Sequence, residues 1–198
     1  YEPGPYLMTV KDTNNGRKFC LFNTFCSDAG SVIDLKDVIE IASYAFEGCM
    51  AGKIINCKDV LTIDDSSFCG YPASMCKNNY RDGALVFENM LVDIDAGAER
   101  VTIPEEITTA TSKSFKLDNV KELVFQKMSV IPFVYTSGFK GTVTLNDDSF
   151  MPVQREIDKA IKDISCSAFK ITESNKQICA VDGVIYSKDK KILIAYPR

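Results

Sequence analysis

The chain has no histidine, and that omission decides most of the chemistry open to it. Neither a Ser-His-Asp nor a Cys-His nucleophile system can be assembled, and the commonest general base near neutral pH is missing. Carboxylates remain. Asp64 with Asp65, Asp93 with Asp95 and Asp147 with Asp148 each place two acids close together, and a glycosidase needs such a pair. Adjacent aspartates are also ordinary turn formers, because the short side chain bonds to backbone two residues on. None of these pairs sits in the alternating Asp-x-Asp-x-Asp-Gly loop that holds calcium. The glycines stand singly, so there is no glycine-rich phosphate cradle, and no cofactor is expected.

Eight cysteines could form a disulfide framework, and Cys20 with Cys26, Cys69 with Cys76 and Cys166 with Cys179 are near enough in sequence to bridge. Spacing alone does not decide this. Cys49 and Cys57 occupy positions held elsewhere by Tyr71 and Leu35, so they are expected to be buried free thiols packing as hydrophobes. Without histidine or a CxxC pair, no metal site is expected.

Composition narrows the partners. Lys and Arg number 23 against 27 Asp and Glu, net charge -4, and they are scattered. No basic stripe is available to neutralise phosphates, so nucleic acid is not an expected partner. No apolar run approaches the roughly 20 residues of a membrane-spanning helix. The opening YEPGPY is not a signal peptide. A start at Tyr1 within a Pro/Gly tether is read as a chain whose leader has been removed.

The elements that would position these residues repeat. Ile33-Asp-Leu35-Lys-Asp-Val38-x-x-Ile41-x-x-x-Ala45-Phe46-x-Gly48-Cys49 recurs as Ile55-Asn-Cys57-Lys-Asp-Val60-x-x-Ile63-x-x-x-Ser67-Phe68-x-Gly70-Tyr71, 22 residues on. A fixed short period means one supersecondary unit stacked on its copies. Each unit reads as a short strand, a Lys-Asp turn, an aliphatic pair three apart and a small residue before an inserted Phe. Phe46, Phe68 and Phe115 are expected in one column. Ahead of the repeats, residues 1–29 form a hairpin cap, with arms Tyr6 to Val10 and Phe19 to Phe22 about Asn14-Asn15-Gly16.

Residues 30–198 form the repeat domain. Hairpins are expected near 80–95, turning at Glu88-Asn89, and near 181–197, with arms Val184 to Tyr186 and Ile192 to Tyr196. The first either replaces a coil or protrudes between coils. Further strands fall at Val101 to Ile103, Leu123 to Phe125 and Val143 to Leu145. Gly138-Phe139 and Ser167-Ala168-Phe169 echo the small-Phe signal. Val153 to Ile164 has helical spacing and is read as one amphipathic helix.

The Val-x-x-Ile-x-x-x-Ala/Ser-Phe unit, the Ile103-Pro104 step and the segment Val181-Asp-Gly-Val-Ile-Tyr through Pro197 together resemble the BspA-like leucine-rich repeat family. The resemblance covers about Ile33 to Pro197 and weakens after Phe115. It implies a right-handed leucine-rich-repeat solenoid; with the inserted β-hairpins and one short helix at Val153 to Ile164, which the family unit does not call for, the fold class expected is a β-rich α+β repeat protein. Family members are typically secreted or anchored at the cell surface, and several act in adhesion.

Strand alternation supplies the candidate site. If Ile33/Leu35, Ile55/Cys57, Val101/Ile103, Leu123/Phe125 and Val143/Leu145 face inward, then Asp34, Asn56, Thr102, Val124 and Thr144 form a ladder on the open sheet. Extended sheet faces of solenoids present binding surface. With no tryptophan and eight tyrosines, sugar stacking is weakened but not lost. Tyr80, Tyr135 and Tyr186 are expected as exposed anchors. The expected function is a non-catalytic binding or adhesion module, a monomer, taking a protein or glycan on its sheet face or hairpins. The alternatives are a glycan-processing enzyme with a carboxylate pair and a structural spacer.

Overall fold

A computed structural model of the chain describes residues 6–13, 16–72, 80–111, 115–127, 136, 138–148, 159, 161 and 163–198. These residues build a β-solenoid of about five turns with almost no helix. The strands are β1 Tyr6–Thr13, β2 Gly16–Thr24, β3 Val32–Asp34, β4 Val38–Ile41, β5 Lys53–Ile55 and β6 Thr62–Ile63. There follow β7 Tyr80–Arg81, β8 Ala84–Phe87, β9 Met90–Ile94, β10 Arg100–Ile103, β11 Thr109–Ala110 and β12 Glu122–Phe125. The last are β13 Thr142–Leu145, β14 Ala168–Ile171, β15 Ile178–Val181, β16 Val184–Ser187 and β17 Leu193–Ala195. The chain packs as two units. One holds Tyr1–Arg81, Leu85–Asp93 and Glu106–Ser114; the other holds Asp82–Ala84, Ile94–Glu105 and Phe115–Arg198.

In the first unit the antiparallel β1–β2 hairpin runs to Thr13 and Gly16. Its turn residues Asn14 and Asn15 lie outside the described residues. The hairpin is more than a lid, because β2 pairs in parallel with β4, and β4 with β6, as though it were a coil itself. On another face β3 pairs with β5. Phe19 pairs with Val38 and Cys20 with Glu40, so Ile39 is an extra residue. Such a bulge lets Val38 and Ile41, three apart, both reach the core.

Strand pairing sets Ile33 beside Ile54, one residue short of the sequence period. The inward pair of the second coil is therefore Ile54 and Cys57, and Ile55 is only half-buried. Asn56, in the left-handed conformation at φ 59°, absorbs the extra residue, which an asparagine tolerates.

Where the coils turn, backbone meets backbone: the Phe46 N–H donates to Ser67 O at 2.9 Å and that of Tyr44 to Ser66 O at 3.1 Å. Nothing larger than Ala45 and Ser67 fits there, and both are fully buried. The Ser67 hydroxyl lies 2.7 Å from Asp64 O and 3.1 Å from Ile41 O. The Phe46 and Phe68 rings stack behind them. The third ring is not Phe115, which is half-buried in the other unit. Tyr71 meets both phenylalanines edge-on, and Phe87 meets Tyr71.

The hairpin expected at 80–95 is present, its strands β8 and β9 meeting at Glu88-Asn89. It does not protrude: Leu85, Val86, Phe87, Met90, Leu91 and Val92 are buried, and β9 lies within the sheet β11-β9-β8-β7. It stands in for a coil, because a strand pair apolar on both faces must be covered on both.

In the second unit β10, β12, β13 and β14 form a parallel sheet with Arg100, Glu122, Thr142 and Ala168 abreast. Val101, Ile103, Leu123, Phe125, Val143 and Leu145 are fully buried on its inner side, as alternation requires. Asp82-Gly83 and Asp182-Gly183 both have positive φ at each residue, the geometry of tight two-residue hairpin turns. They close the two edges of this sheet: Thr102 N–H donates to Asp82 O and Phe169 N–H to Gly183 O, each at 2.9 Å. Pairing the edges removes the exposed ladder that would otherwise recruit other chains.

The final hairpin is a three-strand meander, β15-β16-β17. Its first strand, Ile178–Val181, was hidden because only its ends carry strong β formers. Ser167-Ala168-Phe169 opens strand β14 rather than a small-Phe turn, since Phe169 pairs beside Val143 on the inner side. Lys159 and Ile161 are helical, and Asp163 N–H donates to Lys159 O. Asp163 is in a turn and Ile164 is not helical, so the helix expected at 153–164 ends short of its predicted limit; residues 153–158, 160 and 162 lie outside the described residues.

Candidate functional site

The predicted ladder is assembled in two runs. In the first unit Asp34 and Asn56 meet on neighbouring coils, the Asn56 side-chain N–H donating to Asp34 Oδ1 at 2.8 Å. The same carboxylate takes the Lys36 N–H at 2.9 Å. Asn56 is held again from behind: its backbone N–H donates to Glu88 Oε1 at 2.9 Å and that of Cys57 to Glu88 Oε2 at 2.7 Å. Two successive N–H groups about a left-handed residue form an anion-binding nest, and Glu88 is its anion. These two positions therefore serve as a clamp between coils and hairpin. Burial, with the charges of Glu88 and Asp34 adding to it, pushes the neighbouring Cys57 thiol up to about 12.

In the second unit Thr102, Val124 and Thr144 stand abreast on β10, β12 and β13, and the register adds Lys170 on β14. Thr102 and Thr144 are half-buried and Lys170 is exposed. Val124 is 2% exposed, which corrects its reading as an open position: a small side chain on a central strand sits between neighbours less than 5 Å away on either side. One step along the strands, the charges are paired about a centre. Glu122 Oε2 lies 3.5 Å from Arg100 Nε, and its Oε1 lies 3.8 Å from Lys170 Nζ and accepts the Thr144 hydroxyl at 2.7 Å. Two cations share one carboxylate, so this part of the face is cationic, with the Thr144 hydroxyl held at its middle. It suits a ligand bearing acceptors or carboxylates.

At least one acid of each pair is engaged by a hydrogen bond. Asp64 Oδ1 accepts the Ser66 N–H and Asp95 Oδ1 the Gly97 N–H, each at 2.9 Å, which is the turn-forming role. Asp93 Oδ2 accepts the Tyr80 hydroxyl at 2.7 Å. Asp148 accepts from Ser174, and the backbone carbonyl of Asp147 takes the Asn175 side chain at 2.5 Å. Tyr80 and Tyr186 are half-buried rather than exposed, and Tyr135 lies outside the described residues. Among the described residues Tyr44 and Tyr196 are exposed.

Cys26, Cys49, Cys57, Cys69, Cys166 and Cys179 are free thiols. The Cys20–Cys26 and Cys166–Cys179 bridges are therefore not formed, and Cys76 lies outside the described residues. Burial lifts Cys166 to about 11, a backbone hydrogen bond from Ala168 opposing it.

Sequence reasoning missed a charge cluster in the first unit. Lys18 Nζ lies 3.1 Å from both Asp37 Oδ1 and Asp59 Oδ2, joining the hairpin to the acid of both Lys-Asp turns. The repeated Lys-Asp dipeptide was the available signal. Hydrogen bonds to Asp37 and Asp59 hold the Lys18 ammonium above the usual lysine range.

Comparison with family models, curated proteins and solved structures gives no match. Among the described residues no helix is long and apolar enough to cross a membrane.

Proposed function

We propose that the chain is a non-catalytic binding module of the BspA-like leucine-rich repeat kind, right-handed in its coiling, secreted or displayed at the cell surface. It takes a protein or glycan on the outward face of β10, β12, β13 and β14. One observation carries this reading: Thr102, Val124, Thr144 and Lys170 share a register position across four parallel strands, beside the Arg100–Glu122–Lys170 charges. A surface fixed by backbone pairing is pre-organised, which lowers the entropy cost of binding.

The test is binding of the purified chain to a panel of immobilised glycans and extracellular proteins. Each hit is then repeated with Thr102→Glu and Thr144→Glu, which oppose the cationic face. Those changes are expected to weaken binding by about tenfold or more. A ligand held equally well by both variants would move the site off this face. Lysine at Asp34 or Asn56 is a poorer probe, because it also breaks the clamp.

A further inference from the structure

The charges at the centre of the outward face of β10, β12, β13 and β14 leave donors unused. Glu122 faces Arg100 and Lys170, but at 3.5 and 3.8 Å both contacts are too long for hydrogen bonds. Lys121 and Glu99 nearby close to 2.6 Å and do hydrogen-bond. The Arg100 and Lys170 side chains remain 66% and 64% exposed, so their N–H groups are open to a ligand. The Thr102 and Thr142 hydroxyls have no partner among the described residues, and the Thr144 hydroxyl donates to Glu122. One rung further, the Asn146 side chain donates to Gln126 Oε1 at 2.9 Å, which leaves the Asn146 carbonyl and the Gln126 amino group unengaged. No large apolar side chain is exposed on these four strands.

We propose that this face binds an anionic polysaccharide, one whose repeating units carry carboxylate or sulfate groups. The inference rests on the sheet-face reading and narrows its ligand. A protein partner needs an apolar interface core, and a neutral sugar held by stacking needs an aromatic ring. The face offers neither. Carboxylate and sulfate oxygens instead take several N–H and O–H donors at once, most strongly from charged ones. Glu122 draws Arg100 and Lys170 toward the middle strand, so both cations close on the same anionic group or on neighbouring ones. The threonine hydroxyls and the Gln126–Asn146 amides then meet the sugar hydroxyls, which both donate and accept. Four pleated strands present a broad surface, which suits an extended polymer better than a small anion. Because the net charge of the chain is -4, long-range attraction works against a polyanion, and the affinity must come from these local donors.

The probes are pairs that share a backbone and differ in charge: polygalacturonate with its methyl ester, and dextran sulfate with dextran. Each is titrated calorimetrically with the whole chain. Saturable binding to a charged polymer is expected, weakening as ionic strength rises and absent from its neutral counterpart. Which charged polymer binds separates carboxylate from sulfate recognition. Arg100→Gln or Lys170→Gln should weaken that binding by about tenfold or more. Glu122→Gln, which releases both cations and keeps an acceptor for Thr144, should tighten it several-fold. Arg100 and Lys170 are exposed, so their variants should keep the parent melting temperature. Absence of saturable binding to either charged polymer, equal binding of a neutral counterpart, or binding indifferent to Arg100→Gln and Lys170→Gln overturns the proposal. A protein or neutral glycan that is lost with Thr102→Glu and Thr144→Glu but kept by Arg100→Gln and Lys170→Gln would overturn it and leave the sheet-face reading standing. A ligand indifferent to all four changes would overturn both.

Discussion

Phe46 and Phe68 lie face to face, ring centroids 4.3 Å apart and planes within 7° of parallel. Each comes from the same position of successive coils, so the stack is the repeat expressed as a contact. Truncating a buried phenylalanine to alanine costs about 3–5 kcal/mol, and an aromatic pair adds roughly 0.5–1.5 kcal/mol beyond burial. Phe46→Ala should therefore lose most of the first unit's stability in urea unfolding. A cycle of Phe46→Leu and Phe68→Leu should show a coupling within the pair range, and strict additivity would mean the rings are not energetically coupled.

The Glu88 clamp makes a second prediction. Glu88→Ala leaves the Asn56 and Cys57 N–H groups without their anion, and charged hydrogen bonds contribute about 1.5–3 kcal/mol each when little exposed. The Asn56 bond is exposed, so a total loss of about 1–3 kcal/mol is expected. Chemical denaturation measures it, and a change under half a kcal/mol would show the clamp to be idle.

Thiol ionisation should make stability fall at high pH. In the folded chain Cys57 holds its proton to about 12, against an ordinary 9.0. The native state is thus the one that binds more protons between these values. Stability is full below 9 and declines toward 12, by up to about 1.4 kcal/mol per pH unit. Cys57→Ala should flatten that part of the curve of melting temperature against pH. Iodoacetamide near neutral pH should label exposed Cys69 well before Cys57 or Cys166, as mass spectrometry of digests would show.

Lys18 should matter through charge, and its contribution runs in a predictable direction. Its folded-state pKa is raised, so the stabilisation is complete below the ordinary lysine range and disappears as pH rises through the folded value. Lys18→Met should lower the melting temperature slightly from pH 6 to 9, less so at high salt. The gap from the parent should close as pH rises through and beyond the ordinary lysine range. A gap independent of salt would mean that packing of the stem, not charge, is responsible.

Two glycines with the same backbone angle should respond differently to alanine. Gly138 and Gly183 both have φ +78°, but a methyl at Gly138 meets nothing within 4 Å among the described residues, while one at Gly183 would lie 2.9 Å from Ala168 Cβ. Gly138→Ala should cost about 1 kcal/mol from the left-handed backbone alone. Gly183→Ala should cost clearly more in thermal unfolding, because it prises the turn from β14. Equal losses would show that the edge closure is loose.

Several features were legible in the chain because they are local. The hairpin at Glu88-Asn89 and the inward positions of Val101, Leu123 and Val143 follow from turn chemistry and alternation. Other features depended on partners distant in sequence. Nothing near Asn56 announces that Glu88 will fill its nest. Nothing in Ile55 shows that Ile54 takes the inward place, since that depends on where Asn56 spends the extra residue. Val124 read as an open ladder rung, because pattern reports which face a side chain takes and not how tightly its neighbours close over it.

By itself the sequence determined the coil: its period, its inward aliphatics and the small residue before each phenylalanine, all imposed by backbones that must touch where coils turn. The absence of histidine likewise set the available chemistry. Only the tertiary structure decided which rungs stand abreast, that Lys18 gathers the two Lys-Asp turns, and that Tyr71 and not Phe115 is the third ring. Those outcomes depend on pairing between segments whose meeting is settled by stacking and edge closure, energies that no single segment contains.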